Sequence, residues 1–229
     1  MTFYGTHTAP KNRKTYYEFT AKLNENKEQF FQTYTKGIKK DFKKFAVFTA
    51  GMSGVGKTEF AIALKEVDNN ILHIDTDDIR EFFRPIGYDG QNSNIFQKAS
   101  ARGFSELFSY AMKNEFSLIC DSNFASIEIA EQNINRLLKR NYEVVIFYLY
   151  NNPKVCFEYA IRREVVTNRK VPKDVFIKNN ENSYKTVLEI KDKFYGKIQL
   201  HFIDKRDNNI HSDIDSSTPK NLIGENYDF

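Results

Sequence analysis

Eight consecutive residues, Gly51-Met52-Ser53-Gly54-Val55-Gly56-Lys57-Thr58, follow the spacing G-x-x-x-x-G-K-T in full. Each residue type answers a need of polyphosphate binding. Several backbone N–H groups must aim at one point, and glycines at Gly51, Gly54 and Gly56 permit the turn that does so. Ser53 and Val55 belong to the same nucleotide-binding loop. A helix starting near Lys57 adds the positive end of its dipole. The Lys57 ammonium can reach the β- and γ-phosphates, and the Thr58 hydroxyl can hold Mg²⁺. The setting agrees: an apolar run stops at Ala50, and Glu59-Phe60-Ala61-Ile62-Ala63-Leu64 opens a helical pattern. The expected ligand is ATP with Mg²⁺.

Acids follow at two places where strands should end, and open α/β sheets bind ligands outside the carboxyl ends of their strands. Ile71-Leu72-His73-Ile74 runs into Asp75-Thr76-Asp77-Asp78. A kinase needs one carboxylate to orient an acceptor hydroxyl and take its proton, and Asp77 is our choice. Another acid of the group, Asp75 among them, can cap the following helix or touch substrate. Phe116 to Cys120 closes in Asp121-Ser122-Asn123, where Asp121 can reach Mg²⁺ through water or, with Asn123, contact the substrate. Arginines come later in the chain. A planar guanidinium suits the charge that builds on a transferring phosphoryl group. Arg163 continues the spacing of Cys156 and Ala160, whereas Arg162 continues that of Val155 and Tyr159, and the pattern leaves the choice between them open. Arg169 falls in the polar link Thr167 to Pro172, which could close as a lid.

These groups need a frame to hold them. Apolar runs at 45–50, 71–74, 116–120, 142–150 and 198–203 alternate with helical patterns, which predicts an α/β fold with a five-stranded parallel sheet covered on both faces. One helix should enter through Ser93 or Asn94 as its cap, another through Asn152 with Pro153 in its first turn, and a third near Pro172. Three regions follow: a helical extension over 1–44, a P-loop kinase domain over 45–206 and a loose polar tail over 207–229. The extension carries an apolar stripe from Tyr16 through Leu23, Phe30, Tyr34 and Ile38 to Phe42. Its ten Lys/Arg against four acids give it a charge of +6, leaving −2 for the rest of a chain at +4. A basic face of this kind is either solvated or turned toward an acidic partner or nucleic acid.

Composition removes other classes. With 41% hydrophobic and 28% charged residues the chain is not of the disordered kind. No run approaches the ~20 apolar residues of a membrane helix, and the start lacks the apolar core of a leader peptide. Cys120 and Cys156 sit in apolar patterns without metal-ligand spacing and read as reduced core thiols, which suits a cytoplasmic location.

The P-loop, Ile74-Asp75-Thr76-Asp77 at the end of the second run, the strand end Asp121-Ser122-Asn123 and the basic link with Arg169 before Pro172 together resemble the zeta-toxin family of P-loop kinases, over residues 45 to 205. Two features depart from that family's pattern: the third strand end, where a Glu-Gly-Thr type is usual, and the link between Arg163 and Arg169, which is short. The resemblance implies that Asp77 is the general base and that Lys57 and two lid-region arginines stabilise the transferred phosphoryl group. It further implies an acceptor hydroxyl on UDP-N-acetylglucosamine or a related UDP-amino sugar, and a small antitoxin as partner. Two other readings stay open. One is a kinase for a nucleoside, an antibiotic or a nucleic-acid 5′ end; the other is a nucleotide-dependent switch or binding protein. No N-K-x-D guanine motif supports the switch.

Overall fold

The computed structural model describes residues 12–167 and 171–223. Its centre is strand β1 (Phe45–Gly51), which runs straight into the phosphate-loop motif. Four further strands pair parallel: β2 (Leu72–Asp75), β3 (Leu118–Asp121), β4 (Glu143–Tyr150) and β5 (Gln199–Asp204). The order is β2-β3-β1-β4-β5-β6, with β6 (Asn209–His211) antiparallel on the outer edge. The chain therefore steps to opposite sides of β1, and the crevice at its carboxyl end is the topological switch point where such sheets bind ligands.

Alternate residues of β1 feed two cores, as the pleat requires. Val47 packs with Ile71, Ile119 and Ala61, the last from helix α3 (Lys57–Val67). Ala46, Phe48 and Ala50 belong to the larger core, which includes α5 (Ser93–Lys113), α6 (Ile127–Leu138) and α8 (Lys173–Lys193). Burial on both faces explains why β1 reads as a continuous apolar run. Asn152 caps α7 (Pro153–Thr167) as expected, its Oδ1 accepting from the Lys154 N–H at 2.9 Å. For α5 the cap falls one residue early, at Asn92, without a side-chain bond.

Two expectations need correction. The sheet has six strands, not five, because Asn209-Ile210-His211, an edge strand of three residues whose single apolar side chain is exposed, carries no apolar period to announce β6. Where a loose tail was expected after residue 206, residues 209–223 hold β6 and α9 (Ser217–Ile223), tied back by an Ile214 N–H to Leu200 carbonyl bond.

The extension forms a helical pair, α1 (Asn12–Glu25) and α2 (Lys27–Thr35). Leu23 and Phe30 are fully buried, while Phe42, expected on the same stripe, is 91% exposed. The stripe fails there because α2 stops at Thr35, and helical spacing no longer governs where Phe42 points. Tyr16 and Phe19 have side chains outside the described set. Gly103 on α5 makes room for Phe30: a Cβ there would meet Ile79 Cγ2 at 2.7 Å and the Phe30 ring at 3.4 Å. Ile79 belongs to α4 (Thr76–Glu81), the short helix that carries Asp77. The Tyr34 hydroxyl donates to the Asp78 carbonyl of the same helix at 3.1 Å. The extension thus buttresses α4. Its charges turn inward in part, since Lys27 pairs with Glu106, and Lys40 and Lys44 with Glu115.

Phe30→Ala should destabilise the whole domain by about 3–5 kcal/mol, the usual loss for a buried phenylalanine. Denaturant unfolding checks this. Stability equal to the parent protein would show that the extension does not support the core.

Candidate active site

The turn after β1 closes so tightly that side chains are excluded. A Cβ on Gly51 would lie 2.3 Å from the Leu149 carbonyl oxygen of β4, and one on Gly54 would lie 2.2 Å from the Cys156 carbonyl oxygen of α7. Both glycines also hold positive φ, at +130° and +78°. The Gly51 N–H donates to Ser183 Oγ of α8 at 3.0 Å, a buried bond that pins the start of the loop from the far side of the sheet. Gly56 then enters α3 in the left-handed region, leaving the first N–H groups of an 11-residue helix open toward the crevice.

Lys57 is buried, its Nζ donating to the carbonyls of Gly51 at 3.0 Å and Met52 at 2.8 Å. Burial pushes its pKa down to about 8, against the pull of the Asp121 carboxylate, while Arg163 adds repulsion. The ammonium is thus poorly solvated and aimed into the loop, a state that phosphate oxygens would relieve.

Register brings the acids in beside it. Asp75 of β2 lies opposite Asp121 of β3, which lies opposite Thr49 of β1. The Thr49 hydroxyl donates to Asp121 Oδ1 at 2.8 Å. Burial raises the pKa of Asp121, but His73, Thr58, Thr49 and the Lys57 ammonium outweigh it and hold the carboxyl below its usual range. An ionised acid beside the Thr58 hydroxyl, under a loop of converging amides, fits a divalent cation bound with a nucleotide's phosphates. Asp75 caps α4, its Oδ1 accepting from the Asp77 N–H at 2.8 Å. Burial, then the charges of Asp77 and Asp121, push its pKa up to about 7.

Asp77 stands at the open side, half in contact with solvent. Its Oδ1 takes a short bond from Arg80, and its Oδ2 lies 3.3 Å from Arg163 Nη2. Arg80 is almost fully buried and also donates to Gln97 of α5. Arg163 is therefore the guanidinium that reaches the site from α7. Arg162, equally open in the sequence, instead lies over the Tyr159 ring at 5.7 Å on the exposed side of that helix. Ser122 and Asn123 are half-buried beyond β3, with the Ser122 N–H 3.4 Å from Thr49 Oγ1. Arg169 lies outside the described residues.

A model of one family, "Zeta toxin", matches residues 30–216. The chain belongs to the zeta toxin family. The match begins at residue 30, inside the extension, where Phe30 meets α4. No curated protein sequence matches significantly. Among solved structures, this zeta toxin family member is similar to a protein of the PezAT chromosomal toxin-antitoxin system of Streptococcus pneumoniae. The TM-score is 0.72 at 14% identity, over 93% of this chain and 90% of that one. It is also similar to AvrRxo1-ORF1:-ORF2 with ATP, at a TM-score of 0.61 and 11% identity, over 88% of this chain and 66% of that one. These likenesses bear out the α/β fold of the P-loop kinase type.

Four residues at this site gave no signal in the sequence. Arg80, itself held by Gln97, fixes Asp77, and Ser183 fixes the backbone at Gly51. Lys205 follows β5, and its Nζ lies 2.9 Å from where a Gly56 Cβ would stand. Only the position of Lys205 after a strand could have flagged it.

Because a protonated Lys57 is the phosphate-binding form, nucleotide affinity of the free protein should fall as pH rises through about 8. Calorimetry with Mg²⁺ and ATP across that interval tests this. An unchanged affinity would mean that Lys57 keeps its proton well above it.

Proposed function

We propose that this protein transfers the γ-phosphoryl group of ATP, bound with Mg²⁺, to a hydroxyl of UDP-N-acetylglucosamine or a related UDP-amino sugar, as a cytoplasmic toxin restrained by a small antitoxin. The observation that carries the chemistry is a convergence. Asp77 meets Arg163, and Arg163 lies near enough to Lys57 to depress its pKa, so base, cation and phosphate-loop lysine face one small volume. Phosphoryl transfer asks for little else, since it is catalysed by positioning and charge stabilisation.

The amides of Gly51, Ser53, Gly54, Val55 and Gly56 would cradle the phosphates, with Thr58 and Asp121 as the groups that hold Mg²⁺. That ion would neutralise charge on the β- and γ-oxygens. Asp77, steadied by Arg80, would orient the acceptor hydroxyl and take its proton as the oxygen attacks phosphorus. Arg163, released from Asp77, and Arg169 would stabilise the equatorial oxygens. Asn123, beyond β3, would contact the acceptor, and Asp75 would contribute chiefly as the cap that aims Asp77. Catalysis is assigned to residues 45–206, with 1–44 as a supporting extension. Family membership and the PezAT likeness support the toxin reading and the antitoxin partner. Among the described residues no helix is long and apolar enough to cross a membrane, in keeping with the cytoplasm.

Incubation with labelled ATP and UDP-N-acetylglucosamine should yield ADP and a phosphorylated sugar nucleotide, identified by mass. Lys57→Ala should abolish product. Asp77→Asn should keep ATP binding and reduce turnover about 10²–10⁴-fold. Full turnover in Lys57→Ala would end the kinase reading, whereas ATP consumption with a different acceptor would end only the sugar assignment.

A further inference from the structure

One buried side chain at this site has no part in phosphoryl transfer. His73 and Asp75 are two residues apart on β2 and so project from one face of the sheet, the face that α3 covers. The pairing register sets Asp75 beside Asp121 on the same side. The His73 side chain is 9% exposed and that of Asp121 4%. His73 Nε2 and Asp121 Oδ2 face each other across 3.7 Å, too far for a hydrogen bond, and neither atom has a hydrogen-bond partner among the described residues. One ligand atom from each of His73, Asp75 and Asp121 can be chosen so that all three lie within 4.8 Å of one another.

Two facing polar atoms buried without hydrogen bonds are costly, and crowding a second carboxylate beside them adds to the cost. The nearest ammonium, that of Lys57, is already engaged by two carbonyls. A cation between the three groups removes all of these penalties together. The donor set then decides which cation. Mg²⁺ seeks near-octahedral oxygen and keeps its waters, and an imidazole nitrogen in a dry cleft offers it little. One imidazole with two carboxylates suits Zn²⁺, Co²⁺ or Mn²⁺. Ligands about 2.1 Å from a tetrahedral centre stand roughly 3.4 Å apart, close to the separation seen here.

We infer that His73, Asp75 and Asp121 form a binding site for one divalent transition-metal ion, filled without nucleotide and distinct from the cation that travels with the nucleotide's phosphates. The two sites share Asp121. An ion held by His73 therefore draws that carboxylate away from Thr58, which makes the site a natural point of inhibition by such metals. That consequence rests on the kinase reading, but binding itself does not.

The test is titration of the full chain with Co²⁺, in excess Mg²⁺ and without nucleotide, followed by the visible absorption of the bound ion. One equivalent should bind. His73→Gln should weaken binding by more than about tenfold, since even supporting residues of a metal site cost that much, and His211→Gln, at the sheet's outer edge, should bind as the parent does. Because a change at buried His73 can disturb folding, a second measurement uses the unaltered protein. Imidazole NMR with Zn²⁺ should move the His73 nitrogen resonances at one equivalent and leave those of His201 and His211 in place. An imidazolium–carboxylate pair is the competing arrangement, and it predicts neither result. Absence of saturable Co²⁺ binding, parent-like binding by a folded His73→Gln variant, or a stationary His73 resonance would each overturn the site.

Discussion

A buried ammonium governs this structure. Lys57 is buried and, among the described residues, held by two backbone carbonyls, so its charge must be balanced from nearby. Much of the surrounding architecture serves that balance. Asp121 supplies an opposite charge, and Arg163, which adds repulsion, is paired with Asp77. A protein core does not hold such a charge for stability, since an apolar residue would be cheaper. A ligand with negative charge of its own would complete the set.

The tightness of the phosphate loop follows from where the loop is squeezed. Carbonyl oxygens of β4 and α7 approach the backbone at Gly51 and Gly54 so closely that neither position has space for a methyl group. The loop is therefore fixed by its neighbours as well as by its own dihedrals. Ser183 adds a hydrogen bond from α8, a helix more than a hundred residues further along the chain. Preorganisation of this kind means that the amides need not be ordered when phosphate arrives, and little binding energy is lost to ordering them.

Support for Asp77 comes in part from the amino-terminal helical pair. Phe30 fills the gap left by Gly103 and sets its ring edge-on against Phe82 at the end of the short helix α4, with centroids 5.1 Å apart. A six-residue helix has little stability of its own. The extension adds to the support that Asp77 takes from its Asp75 cap and from Arg80 and Arg163. The family match beginning at residue 30 agrees with this division, since it includes the part of the extension that touches α4.

What the sequence determined by itself was local. The eight-residue loop, the strand before it, the helix after it and the acids closing β2 and β3 are all read from contiguous spacing, because strand and helix periods act over neighbouring residues. Tertiary structure decided what depends on which strands lie side by side. The register β2-β3-β1 gathers His73, Asp75, Asp121 and Thr49, residues up to 72 positions apart, onto one face. The rotation of α7 about its axis chose Arg163 over Arg162, two neighbours with equal claims in the sequence. Phe42 turned outward and β6 formed at an exposed edge because neither is governed by a local apolar period. Long-range pairing is set by the fit of whole faces, and no short window of residues carries that information.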